Sequence, residues 1–450
     1  MTQGKKRLTA LLLAAVMMGA AACGAPAPSA KAEDGEKSVS PSSASVSAPE
    51  DETPEDDTPE GYYPYTLLGS NLLLKSGSWE PDGSFTFQNE NTLTTLTPEN
   101  ALRETVTLPE EELPQGYYTL TWSGSYILAI GEGEGIGGIA YLGEDGGVHL
   151  ANVTLFNRQG KMVRQYMPVP SSGQVIDLAG LTNEGGNAVH WLDDETIVIC
   201  GRSRILLYNF ATDLGRVLDD MSYLEEKHNK FFVYYGVDLR QCGALDGSFY
   251  YMTRRTEEES IHGGTIWRAN KDGAAELFDG GKFWHFFVGN QILAAVAHPS
   301  SDGNAPDVVY SIEPGTLEPR EVWQGNFYPP FAESGPFLAF AESGWQDDIF
   351  SSVVHAYRRD TGEFFSYGLG AGDVRKLLLR EAGGSLWLYY TLFRDGDYTD
   401  WAYDTAAGTA MELPAGSIEN ILSVSPDGSR IVQAGMIQKR PWLRVSPWEF

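Results

Sequence analysis

Cysteine is scarce in this chain: three in 450 residues, at positions 23, 200 and 242. A fold stapled by many disulfides is therefore excluded. None of the three lies in a Cys-x-x-Cys or Cys/His cluster, which removes a zinc site. Histidine is scarce too. Its seven copies are scattered, with no His-x-x-x-His pair, so no metal or other cofactor is expected. Bases are outnumbered, 32 against 61 acids, for a net charge of −29. So acidic a body repels phosphate backbones, and nucleic acid is not an expected partner. Long amphipathic helical stretches are few, and no Gly-x-Ser-x-Gly elbow occurs. The run Gly131-Glu-Gly-Glu-Gly-Ile-Gly-Gly138 leads from one strand pattern into another. With no helix to receive a phosphate, it reads as a hairpin loop.

What is present begins with an export signal. Lys5-Lys6-Arg7 precedes an apolar stretch from Leu8 to Ala22 that ends in small residues. A membrane-crossing helix needs about 20 residues, so this shorter stretch fits a signal peptide, residues 1–22. Residues 23–61 follow as a tether rich in Ser, Pro and acids, with ten acids against two lysines from residue 24 onward. Nothing there can be buried and like charges repel, so an extended, disordered segment is expected.

From residue 62 the chain repeats. Eight turns each lead into a short strand, among them Glu80-Pro-Asp-Gly-Ser84, Leu192-Asp-Asp-Glu195, Leu245-Asp-Gly-Ser248 and Ser425-Pro-Asp-Gly-Ser429. Most intervals between them fall near 42 to 52 residues, with one of 70. Seven second hairpins lie between, such as Leu207-Tyr-Asn-Phe-Ala-Thr-Asp213 and Tyr357-Arg-Arg-Asp-Thr-Gly362. Two hairpins per repeat make a four-stranded antiparallel blade, so the fold class is all-β, a single β-propeller over residues 62–450. The count gives eight blades, or seven if one hairpin is over-read. The last repeat lacks a strand, and Tyr65-Thr-Leu-Leu68 is spare at the other end. An N-terminal strand joining the last blade would close the ring and remove its free edges.

Two resemblances follow from these residues. Ala20-Ala21-Ala22-Cys23 resembles the lipobox of bacterial lipoproteins, with Ala20 where that family more often has Leu. The resemblance implies diacylglycerol and palmitate on Cys23 and a place on the extracytoplasmic side of the cell membrane, with the lipid bilayer as partner. Two acyl chains suffice for stable anchoring. Ser425-Pro-Asp-Gly-Ser-Arg-Ile431 resembles the repeat of TolB-type and WD-repeat-like bacterial propellers, with looser copies at Trp79–Ser84 and Ala244–Phe249. That likeness implies a fold and no activity.

Chemistry is thinly marked. Asp395-Gly-Asp-Tyr-Thr-Asp400 groups carboxylates without the rest of a calcium loop, and reads as a turn. Cys200 and Cys242 form an even pair, either bonded or buried as free thiols. In a propeller, loops from second to third strand and from blade to blade share one face. Here the stretches assigned to it are the long ones: 131–147, 168–190, 219–236, 254–264, 298–307, 342–353 and 393–400. The candidate binding residues are Tyr234, Tyr235, Tyr328, Trp345, Asp347, Asp395 and Tyr398, with acids Glu257, Glu258 and Glu259. Aromatics beside fixed polar groups suit a recognition surface for a glycan or protein ligand. The expected role is a ligand-binding or scaffold module. The competing expectation is a carbohydrate-active hydrolase or lyase using carboxylates on that face.

Overall fold

The computed structural model describes residues 61–64, 77–115, 117–132, 139–176, 189–201, 203–224, 235–278, 282–298, 305–346, 349–437 and 440–449. The signal peptide, Cys23 and the tether lie outside them. Among the described residues no helix is long and apolar enough to cross a membrane.

The strands form eight antiparallel sheets. Sheet 1 holds Gly77–Trp79, Phe85–Asn89, Thr92–Leu96 and Leu102–Thr107. Sheet 2 holds Tyr117–Trp122, Tyr126–Glu132, Val153–Asn157 and Met162–Tyr166. Sheet 3 is built on Val189–Trp191, Thr196–Cys200, Arg204–Asn209 and Leu214–Asp220. Sheet 4 holds Gly236–Leu245, Ser248–Arg254, Thr265–Asn270 and Gly273–Glu276, and sheet 5 Phe283–Val288, Leu293–Ala297, Asp307–Ile312 and Pro319–Gly325. Sheet 6 holds Phe327–Ser334, Phe337–Gln346, Ile349–Arg358 and Phe364–Ala371. Sheet 7 holds Asp373–Ala382, Ser385–Arg394, Asp397–Asp404 and Thr409–Leu413. Sheet 8 takes Ile421–Val424, Arg430–Ile437 and Arg440–Pro447 from the C-terminal end and Tyr63–Pro64 from the other.

Seven of these sheets have four strands. The remaining one, sheet 3, has seven strands, because Val148–Leu150, Ala140–Leu142 and Gln174–Val175 add to its outer edge. These extra strands come from within sheet 2's span and from the link to sheet 3. They account for the one long interval in the repeat.

Local chemistry explains the turns. Every first hairpin expected from sequence joins a first to a second strand, and Gly83, Gly247, Gly335 and Gly428 supply left-handed backbone there, at φ +82°, +67°, +51° and +70°. The core is divided among seams between neighbouring sheets. Leu93, Leu120 and Phe156 pack sheet 1 on sheet 2. Leu128, Ile197 and Tyr208 pack sheet 2 on 3, and Val198, Phe249 and Tyr251 pack 3 on 4. Met252 meets Leu293, Val296 meets Phe340, and Val354 meets Leu388 at the next three seams. Tyr389 and Trp448 join sheet 7 to 8. Phe85 and Phe87 then join sheet 1 to Val432 and Val445 of sheet 8, so the succession of seams closes on itself.

Closure is by strand as well as by packing. Tyr63 pairs with Leu443 and Pro64 with Trp442. The closing strand therefore sits just before the expected Tyr65–Leu68, which lies outside the described residues. Asn100 clasps the junction. Its amide donates to the Gly61 carbonyl at 2.7 Å and accepts from the Val445 backbone N–H at 2.8 Å, while its own carbonyl accepts from the Tyr63 hydroxyl at 3.0 Å. Tyr62 packs edge-on to Trp442 at 4.4 Å, and Arg444 donates to the Tyr62 hydroxyl at 2.9 Å.

First strands have a free inner edge, and side chains of the preceding sheet satisfy part of it. Gln88 accepts from the Leu120 backbone N–H at 2.9 Å, Gln241 from Phe286 at 2.6 Å, and Asp307 from Phe327 at 3.2 Å. Unpaired backbone groups in such a position are costly, which explains amides and acids inside an apolar seam.

Candidate functional site

Antiparallel succession places the second-to-third-strand hairpins and the sheet-to-sheet links on one face. On that face the sheets are unequal. The ladder between second and third strands has five pairs in each of sheets 1 to 5. It has ten pairs in sheet 6, eight in sheet 7 and eight in sheet 8. At about 3.4 Å per residue, three to five further pairs lengthen a hairpin by roughly 10–17 Å. The described parts of segments 342–353 and 393–400, expected as long loops, are thus the upper parts of regular hairpins.

The three long hairpins carry the same feature at the same register. One pair before the end of each ladder stands an apolar cross-strand pair: Trp345 opposite Phe350, Phe393 opposite Tyr398, and Met436 opposite Pro441. One member of each is open to solvent, Trp345 at 73%, Tyr398 at 60% and Met436 at 57% exposure. The rings of Trp345 and Phe350 meet edge-to-face at 5.3 Å, and those of Phe393 and Tyr398 lie 4.8 Å apart. Cross-strand contact holds each exposed ring in place and lowers the entropy lost when something covers it.

Polar groups join the first two hairpins. Phe350 packs edge-on to Tyr328 at 6.2 Å, and the Tyr328 hydroxyl donates to Asp373 Oδ2 at 3.3 Å. The same oxygen is 2.7 Å from Arg375, whose guanidinium lies 5.3 Å from the Phe393 ring centre. A continuous line thus runs Trp345, Phe350, Tyr328, Asp373, Arg375, Phe393, Tyr398. Asp373 is nearly enclosed and its Oδ1 has no hydrogen-bond partner. Burial pushes its carboxyl above the usual value, and Arg375 and Tyr328 only partly oppose the rise. Burial, with the Asp373 charge, likewise raises the Tyr328 phenol.

The sequence-derived residues separate on this map. Tyr328, Trp345, Asp395 and Tyr398 gather at the tips and base of sheets 6 and 7. Asp395 and Gly396 form the hairpin turn, both with positive φ, +55° and +95°, as the turn reading required. Tyr234, Asp347 and Cys23 lie outside the described residues. Tyr235 is a correction. It is 7% exposed and packs in the seam between sheets 3 and 4, because its ring fills the space beside Phe249 and Tyr251. Glu257 and Glu259 also change role. They open a short helix, Glu257–His262, in which Thr256 and Glu259 form a reciprocal N-terminal cap, and Glu258 pairs with Lys282. These acids complement a helix start.

Phe350, Asp373, Arg375, Phe393 and Met436 were missed. The apolar ones looked like ordinary strand residues, and Asp373 and Arg375 join the group only through a neighbouring sheet. The available signal was the length of the alternating runs 337–358 and 385–404. Those runs outlast every earlier one.

No protein family and no curated protein matches the sequence. Among solved structures, dipeptidyl peptidase 4 of Porphyromonas gingivalis aligns over 83% of this chain at 13% identity and a TM-score of 0.49. The alignment spans 58% of that enzyme's length. TolB of Acinetobacter baumannii aligns over 56% of this chain and 63% of its own, at 13% identity and a TM-score of 0.31. The β-propeller domain of the trilobed protease of Pyrococcus furiosus aligns over 72% and 93%, at 10% identity and 0.36. The neighbours thus include TolB and other propeller proteins. The strand order and the closed succession of seams in this chain identify its own fold as a β-propeller.

Proposed function

We propose that this protein is a lipid-anchored, extracytoplasmic binding module that holds a neutral glycan across the tips of sheets 6 and 7. One observation carries the reading: two long neighbouring hairpins present exposed Trp345 and Tyr398 at equivalent register, with the Tyr328–Asp373–Arg375 group between them. A sugar ring offers a C–H face to stack on an aromatic and a rim of hydroxyls for planar polar groups. An acidic polymer would be repelled by a chain of net charge −29. The anchor reading rests on Lys5–Arg7, the apolar stretch to Ala22 and Cys23. The tether then holds the propeller away from the bilayer.

The glycan reading is tested by array and titration with neutral oligosaccharides. Trp345→Ala and Tyr398→Ala should each weaken binding about tenfold, a typical cost for an aromatic anchor. Unchanged affinity in both would discard it, and a protein captured through the same two residues would replace the glycan with a protein partner. Turnover abolished by Asp373→Asn would convert the module into a hydrolase. For the anchor, a clickable palmitate analogue should label the full chain and not Cys23→Ala.

A further inference from the structure

We infer that Cys200 and Cys242 are a site of covalent modification, at which oxidation forms a disulfide between sheets 3 and 4. The two residues are distant in sequence and lie in different sheets. Cys200 ends the second strand of sheet 3, opposite Ile205, and Cys242 sits in the first strand of sheet 4, opposite Tyr251. Both belong to the seam packed by Val198, Phe249 and Tyr251. Cys200 is part of the buried cluster of that seam, Cys242 packs against the same cluster, and the two side chains interact. Tyr251 stands beside both, as cross-strand partner of Cys242 and within the electrostatic range of Cys200.

Two details make bond formation feasible. Cys200 is fully buried, whereas Cys242 is partly open to solvent, so an oxidant reaches one sulfur and the other resolves. A disulfide needs sulfurs about 2.05 Å apart, so the thiols must approach further. The sheet 4 ladder is interrupted next to Cys242. Val237 pairs with Thr253 and Cys242 with Tyr251, so residues 238–241 stand outside the regular register. This irregular stretch lies directly ahead of Cys242.

The chemistry balances. The Cys242 thiolate attacks a low-molecular-weight disulfide, forms a mixed disulfide and releases one thiol. Cys200 loses its proton and attacks the Cys242 sulfur, which expels the second thiol. Two protons and two electrons leave the pair, and the incoming disulfide is reduced to two thiols. Burial holds the Cys200 thiol well above its usual range, so the second step should be slow and should quicken as pH rises.

The test is peptide mapping of the full folded chain after exposure to oxidised glutathione or to dithiothreitol. The chain is then unfolded, alkylated and digested with trypsin. In the oxidised sample the peptides Gln165–Arg202 and Gln241–Arg254 should appear joined, two hydrogens lighter than their sum. In the reduced sample both should carry alkylated thiols. The variant Cys242→Ser should leave Cys200 alkylated under either treatment. Separate alkylated peptides after oxidation, or a Cys242 stalled as its glutathione adduct, would overturn the inference. The wild-type readout stands even if the variant fails to fold.

Discussion

Asn100 shows how much one polar residue decides in a ring. It sits at positive φ (+62°) after the third strand of sheet 1, where Asn is tolerated better than most residues. Its two side-chain bonds reach both chain ends at once. Asn100→Ala should cost about 1–3 kcal/mol, since it removes two hydrogen bonds and leaves a backbone N–H unpaired. Urea denaturation would measure it. His355 sets a pH dependence. It is buried among Trp323, Phe340 and Phe364, with Ser366 and Glu342 at its two nitrogens, 2.9 and 3.1 Å away. Burial lowers its pKa, and the Glu342 contact only partly offsets this. The unfolded chain therefore takes up the proton first as pH falls below about 6.5. Stability from the neutral ring is present above that value and is lost as pH falls toward the folded pKa. At neutral pH the wild type should unfold at a higher midpoint than His355→Gln, and the gap should narrow in acid, with the wild type showing the steeper loss as pH falls below about 6.5. Parallel curves would remove His355 as the cause.

At the scale of elements, the closing strand is short and its leverage is large. Tyr63–Pro64 contributes two ladder pairs, yet it covers the open edge of sheet 8 and brings Tyr62 onto Trp442. Removing residues 61–64 would expose that edge and loosen the seam of Phe85, Phe87 and Val432. A lower thermal midpoint and concentration-dependent association are expected, read by calorimetry and light scattering. The seams themselves should respond as close-packed cores. Phe340→Ala, at a fully buried position between sheets 5 and 6, should cost about 3–5 kcal/mol by chemical denaturation. Hairpins 6 and 7 should behave differently. Their outer pairs face solvent, so trimming Trp345 or Tyr398 should change ligand affinity and barely move stability.

Over the whole molecule, charge and asymmetry act together. Net charge of −29 sets a long-range field. A neutral glycan does not feel that field. Its affinity should therefore hold within about twofold between 50 and 500 mM salt, where a cationic protein ligand would weaken steeply. Titration at the two salts separates the occupants. The asymmetry lies in the hairpins: sheets 1 to 5 keep five-pair ladders, sheet 3 widens at its outer edge, and sheets 6 to 8 lengthen on one face. Lengthening a hairpin leaves the seams undisturbed, so a recognition surface can grow on one arc of the ring while the other sheets close it.

The turns and the paired hairpins were legible because their causes are local. Pro-Asp-Gly and Asp-Gly steps demand left-handed backbone wherever they occur, and period-two runs between them can only be strands. The acidity was equally plain in composition. Tyr235 was misread because burial is a property of the neighbouring sheet, and Asp373 was missed because its partners Tyr328 and Arg375 meet only when sheets 6 and 7 are side by side. The pairing of Tyr63 with Leu443, and the meeting of Cys200 and Cys242 at one seam, also depended on the ring. A sequence specifies which segments can form strands. Which strands become neighbours is decided by the seams, where apolar side chains from two distant stretches must fill one space.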